Sequence, residues 1–230
     1  MNMNNSTDTL VLIAAPEILA IPIQENHEEL IDIKNSSDIL IGPSPEIPNN
    51  TDYTKMRKAV YQRLLLAQTL LPQGLYFCLY EGYRSLTLQK MLFDARYNNV
   101  SRQHPNWSHE QIFNETMKLV SPVINLDGST NIPPHTTGAA IDVYLVNEQG
   151  QALDMGIHPK DWVEDIDALY SPTQCSAISK TAQVNRNLMS SVLQEVGFVN
   201  YPTEYWHWSY GDRYWAYVAK QPYAIYDCVK

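Results

Sequence analysis

The segment that most restricts the fold is the aromatic run EYWHWSYGDRYWAY at residues 204–217, which holds three Trp and four Tyr in fourteen positions. Such a run predicts a β-strand, because aromatic side chains pack well on a pleated, half-buried surface. A carboxylate, Glu204, and an imidazole, His207, stand three residues apart at its start. In a flat strand, positions three apart point to opposite faces. We therefore expect Glu204 to lie on a bend just after Pro202, with His207 on the strand itself.

The bulk composition predicts an ordinary globular α+β protein. The chain has 230 residues, of which 44% are hydrophobic and 18% are charged, so it can build a sizeable core. We predict a single domain over residues 1–230, in which the Pro-punctuated segment 1–53 packs as an N-terminal extension on a catalytic core at residues 55–217. The net charge of -9, with Lys and Arg scattered singly, argues against nucleic acid as a partner.

The N-terminal sequence favours a cytoplasmic protein without a membrane span. Its apolar stretch LVLIAAPEILAIPI is interrupted by Pro16 and Glu17, and no Lys or Arg precedes Lys34. A secretory leader needs a positive region before a clean apolar core, and a span needs roughly 20 apolar residues. A leader removed before the numbering begins would leave the same sequence on a periplasmic protein. The three cysteines form no CxxC pair, so we expect reduced thiols.

The hydrophobic patterns predict helices mixed with short strands, and hence a small antiparallel sheet flanked by helices. Helical spacing is found in KMRKAVYQRLLLAQTLLP from Lys55 (with Met56 on its apolar stripe), RSLTLQKMLFDARY from Arg84, SHEQIFNETMKLV from Ser108 and TAQVNRNLMSSVLQEVG from Thr181. Strands are predicted for DTLVLI from Asp8, ELIDI from Glu29, GLYFCLY from Gly74 and AAIDVYLV from Ala139.

Two separate segments supply a possible set of zinc ligands. His135 precedes a turn at Gly138, and Asp142 follows on the polar face of the strand AAIDVYLV. Together with His207 they form a His-Asp-His set, and hydrolytic zinc takes three such ligands and keeps a fourth position open. Glu204 is then the candidate general base for water activated by the metal. Taken singly, a His in an aromatic strand is more often a core residue, and an Asp on a polar face is more often solvated.

The motifs around these residues resemble those of the D-alanyl-D-alanine dipeptidases, zinc enzymes related to the D,D-carboxypeptidases and the hedgehog domain. The family pattern S-x-H-x-x-G-x-A-x-D is similar to PPHTTGAAID at residues 133–142, E-W-W-H to EYWH at residues 204–207, and D-G-Y-R-P to EGYRS at residues 81–85. The resemblance runs from about Arg57 to Trp215, with the motifs in the family order.

The resemblance implies a hedgehog/D,D-peptidase-like fold and a zinc metallopeptidase that cleaves D-alanyl-D-alanine or a similar short D,D-dipeptide. It implies that Zn²⁺ is bound by His135, Asp142 and His207. It also implies that Glu204 is the catalytic base and acid. Arg84 would stabilise the oxyanion, since a guanidinium offers several donors and a permanent charge. Asp161 would contact the amino group of the substrate, and we also predict substrate contacts for Tyr83 and Trp206.

The chain departs from the family pattern at several positions. Pro133 stands where the family has Ser, Ser85 where it has Pro, and Glu81 where it has Asp. In the segment after DMG at residues 154–156, Lys160 stands at the position where the family has Asp, and Asp161 follows one residue later. These departures keep two alternatives open: a D,D-carboxypeptidase or other peptidoglycan stem peptidase, and a zinc-binding domain without catalysis.

Overall fold

The computed structural model describes residues 10–45, 47–165 and 167–229, and within them it contains six α-helices and seven β-strands. The helices are α1 (Pro16–Leu19), α2 (Lys58–Leu70), α3 (Leu86–Gln103), α4 (His109–Met117), α5 (Lys180–Glu195) and α6 (Arg213–Val218). The strands are β1 (Leu30–Asp32), β2 (Leu40–Ile41), β3 (Lys55–Arg57), β4 (Leu75–Glu81), β5 (Ala140–Asn147), β6 (Val199–Asn200) and β7 (His207–Ser209). Short 3₁₀ turns lie at Asp52–Thr54, Pro134–Thr137 and Pro159–Asp161.

Five strands form the main sheet, in the order β2-β4-β5-β7-β6, and β1 pairs with β3 in a separate two-stranded sheet. The predicted α+β class is confirmed. The sheet is antiparallel except at one edge, where β2 runs parallel to β4. A parallel pair needs a long crossover, and β3 with α2 provides it here.

The core lies between one face of the sheet and the helices α2 and α5. Alternation along β5 places Ile141, Val143 and Leu145, each fully buried, in the same apolar cluster as residues of both helices. Tyr144, on the other face, packs in a smaller cluster. The prediction of two faces for AAIDVYLV is therefore confirmed, and it leaves Asp142 on the face turned away from the main core.

The helix predicted from Lys55 begins later than its pattern indicated. Met56 belongs to β3, where it pairs with Ile31 of β1, and α2 starts at Lys58. The hydrophobic stripe does not reveal this boundary, because an extended segment with a neighbouring strand can bury the same methionine.

The N-terminal strand prediction for DTLVLI is wrong in the part that is described. Asp8 and Thr9 lie outside the described residues, and Leu10 to Ile13 form no strand. Ile13 instead packs with Ile18 of α1 and with Tyr201. The prediction for ELIDI is confirmed by β1.

The described residues before position 54 are bonded closely to the rest of the chain. Besides the β1 and β2 pairings, Arg57 forms an ion pair with Glu25 at 3.1 Å, and Ile23 pairs with Ala224 near the C-terminal end. The division into an extension at 1–53 and a core at 55–217 stays a prediction. No helix in the described ranges has the length and apolar character to cross a membrane.

The aromatic segment is only partly a strand. The bend expected after Pro202 is present, and β7 begins at His207. Three residues later the strand stops, because Gly211 adopts φ +97° and Asp212 caps α6 by accepting a 2.7 Å hydrogen bond from the backbone N–H of Trp215. The second half of the run is therefore a helix, which strand propensity alone did not predict.

Candidate active site

The central strands place three polar residues in one row across the sheet. Glu81 of β4 is the pairing partner of Asp142 on β5, and Asp142 is the pairing partner of His207 on β7. Directly opposed residues share a face and have Cβ atoms only about 5 Å apart. Residues 65 positions apart in the sequence therefore become neighbours through strand register.

His135 reaches the same point from the 3₁₀ turn before β5. The turn ends at Gly138, whose φ of +72° is left-handed, and a Cβ there would lie 2.5 Å from Leu30 Cδ1. The left-handed backbone angle favours glycine, and a Cβ there would also force the terminal methyl group of Leu30 to shift. The backbone N–H of Arg84 donates to the carbonyl of His135 at 3.2 Å, which ties the turn to the end of β4.

Three potential ligand atoms converge in a nearly equilateral triangle. His207 Nδ1 lies 3.1 Å from Asp142 Oδ1 and 3.1 Å from His135 Nε2, and His135 Nε2 lies 3.3 Å from Asp142 Oδ1. All three side chains are buried. Among the described residues, no other group of three or more His, Cys, Asp or Glu side chains converges in this way.

This triangle has the dimensions of a zinc site. Ligands at about 2.0–2.1 Å in tetrahedral geometry are separated by ~3.3 Å, so the three atoms match one face of a tetrahedron and leave its fourth corner open. The tautomer of His135 also fits. Its Nδ1 lies 2.7 Å from the carbonyl oxygen of Gly82, which can only accept, so Nδ1 carries the proton and Nε2 directs its lone pair to the centre.

The electrostatics keep the ligands in the forms that bind a metal. Burial, the largest single influence, raises the pKa of Asp142, but the charges and hydrogen bonds of His135 and His207 together bring that pKa below its usual value. Burial lowers the pKa of His207, opposed by Asp142. An ionised carboxylate and a neutral imidazole are the states that a cation requires.

Glu204 lies on the turn before β7, with its carboxylate directed to the same region. It is buried, and Trp206 Nε1 donates to its Oε2 at 2.9 Å. Burial first, and the charge of Asp142 second, raise the pKa of Glu204 well above its usual value, while Arg84 and Trp206 oppose this rise. A carboxylate with a raised pKa is a stronger proton acceptor than an ordinary one, which suits a general base.

Arg84 is oriented by a network of buried hydrogen bonds. Its guanidinium makes a two-pronged ion pair with Glu81, with Nε at 3.0 Å from Oε1 and Nη2 against Oε2. Nη1 donates to Gln89 Oε1 at 2.9 Å, and Gln89 Nε2 donates to the carbonyl of Ser121 at 2.7 Å. Such a clamp presents the cation in one direction.

A small cavity connects these groups. Arg84, Asp142 and Glu204 supply its polar side, and its other lining residues are mainly apolar or aromatic: Tyr80, Leu119, Val120, Trp162 and Trp206.

The predicted substrate contacts occupy different places. Trp206 lines the small cavity beside Glu204. Asp161 lines a separate, larger cavity that also includes Tyr144. The ring of His158 packs between the two cavities, against Tyr144 and against Tyr80. The backbone of Tyr83 is bonded to Lys55, and its side chain is not among those that line either cavity. The roles of all predicted site residues stay predictions.

Sequence reasoning missed two buried polar residues at this site. Gln89 lies on α3, where one glutamine in a helix gives no signal in a single sequence. Asp212 belongs to the aromatic run at residues 204–217, in which the sequence predicts roles only for Glu204, Trp206 and His207.

Comparison with known proteins agrees with the site geometry. The family model described as D-ala-D-ala dipeptidase matches residues 50–226. A D-alanyl-D-alanine dipeptidase of Synechocystis sp. is 25% identical over 228 residues, covering 88% of this chain and 90% of its own length. One from Escherichia coli K12 is 29% identical over 134 residues, 58% of this chain and 54% of its own.

A solved structure of VanYB in complex with D-Alanine-D-Alanine is similar with a TM-score of 0.45 and 16% identity, covering 86% of this chain and 85% of that one. The family model covers more than half of the chain, and it matches the segments that carry the ligand triangle, Glu204 and Arg84. The protein therefore belongs to the D-ala-D-ala dipeptidase family of M15 metallopeptidases, the family that its sequence motifs predicted.

Proposed function

We propose that the protein hydrolyses D-alanyl-D-alanine, or a similarly short D,D-dipeptide, to free amino acids in a reaction that depends on zinc. The observation that carries this proposal is the triangle of His135 Nε2, Asp142 Oδ1 and His207 Nδ1 beside a buried carboxylate. Family membership and the names of the curated relatives support the choice of substrate.

His135, Asp142 and His207 would hold the metal. A zinc ion at this position supplies a Lewis acid, which polarises a carbonyl and makes water a stronger acid near neutral pH. The apolar and aromatic side chains around the small cavity exclude bulk water, which strengthens the electrostatic interactions inside it.

Glu204 would move the proton. Its carboxylate accepts a proton from the attacking water as the new carbon–oxygen bond forms at the scissile carbonyl. It returns that proton to the amide nitrogen as the carbon–nitrogen bond breaks, so that the second amino acid leaves as a free amine. Trp206 holds Oε2 during both steps, which leaves Oε1 to face the reacting atoms.

Arg84 would stabilise the negative charge that develops on the carbonyl oxygen. The ion pair with Glu81 and the hydrogen bond to Gln89 fix the guanidinium before the reaction. Donors fixed in advance act most strongly on charge that appears only in the transition state.

The decisive experiment measures release of free D-alanine from D-alanyl-D-alanine by purified protein, before and after removal of metal with a chelator, and again after zinc is restored. We expect activity that is lost with the metal and recovered with zinc, and no comparable activity on L-alanyl-L-alanine. Metal-loaded protein that is inactive on every D,D-peptide would refute the proposal and favour a zinc-binding domain without catalysis.

A pentapeptide stem ending in D-alanyl-D-alanine tests the alternative of a D,D-carboxypeptidase. The names of the curated relatives, both D-alanyl-D-alanine dipeptidases, support the free dipeptide. Faster release of the terminal D-alanine from the stem than from the dipeptide would reverse this choice.

The cytoplasmic location expected from the N-terminal sequence completes the proposal. Activity found mainly in a periplasmic fraction of cells that produce the full chain would contradict it.

A further inference from the structure

The corner that follows β7 holds a buried carboxylate which the proposed mechanism does not use. Asp212 is 2% exposed. Its Oδ1 caps α6 through the backbone N–H of Trp215. Its Oδ2 is buried and makes no regular hydrogen bond to the described chain. A buried acceptor of this kind needs a function or a partner, because a buried polar group without a partner is costly.

His207 presents a matching donor. Its Nδ1 belongs to the ligand triangle, and a neutral imidazole that offers Nδ1 to a metal carries its proton on Nε2. His207 Nε2 is buried and also makes no regular hydrogen bond within the described residues. A histidine that binds a metal almost always donates its other N–H to a carboxylate, a carbonyl or water.

Ser209 lies between His207 and Asp212 in the sequence, and its side chain is on the same face of β7 as that of His207. It stands two residues after His207 on β7, so both side chains point to one face. Its side chain is buried, and a hydroxyl can accept one hydrogen bond while it donates another.

The electrostatics of the corner agree with this proximity. Burial raises the pKa of Asp212, whereas the side chain of Ser209 and the charges of His207 and His135 lower it. Asp212 in turn acts on His207 by raising its pKa, against the larger effect of burial.

We propose that His207 Nε2–H donates to Ser209 Oγ, and that the Ser209 hydroxyl donates to Asp212 Oδ2, in a chain that positions the imidazole of His207 for zinc. Along this chain the N–H of His207 and the O–H of Ser209 each donate one hydrogen bond, and Ser209 Oγ and Asp212 Oδ2 each accept one. Ser209 and Asp212 are then positioning residues that act through His207. The inference rests on the proposed function only in taking the three-residue site as a zinc site.

The test measures the zinc dissociation constant of the full chain by competition with a chromogenic chelator. Asp212→Asn keeps an oxygen that can cap α6, since Asn caps as well as Asp, but it removes the charge at the end of the chain. Ser209→Ala removes the link and leaves the helix cap untouched. We expect each variant to bind zinc about 10–100-fold more weakly than wild type.

Ser108→Ala is the matched control, because it removes the side-chain cap of α4, which contributes none of the predicted site residues. We expect it to lose thermal stability while it keeps the zinc affinity of the wild type. Cobalt(II) gives a second readout, since a reoriented imidazole shifts the visible absorption of the metal-loaded protein.

Wild-type zinc affinity and an unchanged cobalt spectrum in folded Ser209→Ala and Asp212→Asn proteins would overturn the inference. If Asp212→Asn does not fold, Ser209→Ala decides the matter by itself. A wild-type protein that binds zinc tightly but hydrolyses no D,D-dipeptide would refute the proposed function and leave this inference intact, so the two failures are distinguishable.

Discussion

At the scale of single residues, the site combines groups that are costly to bury with partners that offset the cost. Glu204 is buried and faces the charge of Asp142, and the charges of Arg84 and Arg96 together with the indole of Trp206 only partly offset the resulting rise of its pKa. Structural carboxylates are usually paired more fully than this. The arrangement is typical of a group selected for proton transfer.

We predict that Glu204→Gln retains zinc but loses about 10²–10⁴-fold in kcat, because an amide cannot accept the proton from water. The side-chain oxygen can still accept from Trp206, so folding is preserved. Dipeptide hydrolysis and elemental analysis of the purified variant check both parts. The exposed Glu195→Gln on α5 is the control, and near-normal turnover by Glu204→Gln would remove this residue from the mechanism.

Gln89 tests whether the orientation of Arg84 matters. Gln89→Leu deprives Arg84 Nη1 and the carbonyl of Ser121 of their partner, which costs about 1–3 kcal/mol of stability. We predict a fall of about 10-fold or more in kcat with zinc affinity unchanged, since only the guanidinium is misdirected.

Gln68→Leu is the matched control for that variant. Gln68 likewise bridges two groups with its side-chain amide, here the backbone N–H of Phe77 and the backbone carbonyl of Leu75, but it does so at the far end of β4. It should lose similar stability and keep kcat. Equal kcat values for the two variants would show that Gln89 acts only on stability.

At the scale of elements, the site depends on where β5, β7 and the turn before β5 meet. Asp142 and His207 are placed by strand register, and a slip of one residue would turn either side chain to the opposite face. His135 depends instead on a single tight turn at Gly138. The turn is the most vulnerable of these elements, because any residue other than glycine would adopt a strained backbone angle and push against the side chain of Leu30.

We predict that Gly138→Ala lowers both stability and zinc affinity. The left-handed φ costs about 1–2 kcal/mol for a residue with a Cβ, and the contact with Leu30 then displaces His135. Gly150→Ala is the control, because Gly150 has the same φ of +72° but open space around its Cα. Thermal unfolding of the two variants measures the backbone strain, which both should share. Zinc titration measures the displacement of His135, which only Gly138→Ala should cause. Equal zinc affinities of the two variants would contradict that displacement.

At the scale of the whole molecule, the metal ligands join distant parts of the chain, so zinc binding and folding are linked. We predict that saturation with zinc at about 100 times its dissociation constant stabilises the protein by ~2.7 kcal/mol. For a domain of this size that corresponds to a rise of roughly 5–10 °C in Tm. His207→Ala should fold without this shift, and an equal shift in that variant would place the metal elsewhere.

The N-terminal segment provides a second test at this scale. A chain that begins at residue 50, where the family match begins, loses β1, β2 and the ion pair of Glu25 with Arg57. It also removes Ile33 and Ile39, which lie in the main core, and so exposes the apolar side chains that pack against them. We predict a lower Tm and weaker cooperativity than for the full chain, measured by calorimetry. An unchanged Tm would show that the segment is dispensable.

Local sequence patterns determined much of this protein. The 3.6-residue period identified α2 to α5, a continuous apolar run identified β4, and alternation identified β5 and its two faces. The helical spacing that begins at Ser108 predicted α4, and the structure shows a capping box of Ser108 and Gln111 at its start. The site motifs could be identified from the sequence because zinc binding and proton transfer require particular residue types.

Only the tertiary structure decided the remainder. Met56 became part of a strand because β1 lies beside it, β2 joined the sheet in parallel, and the aromatic run divided into a strand and a helix at Gly211. The contacts of Gln89 with Arg84, and the position of Asp212 near His207, became visible only in the folded structure. Propensity and period depend on a few adjacent residues, whereas strand pairing, burial and hydrogen bonding depend on residues far away in the chain, and their free energies outweigh local preference.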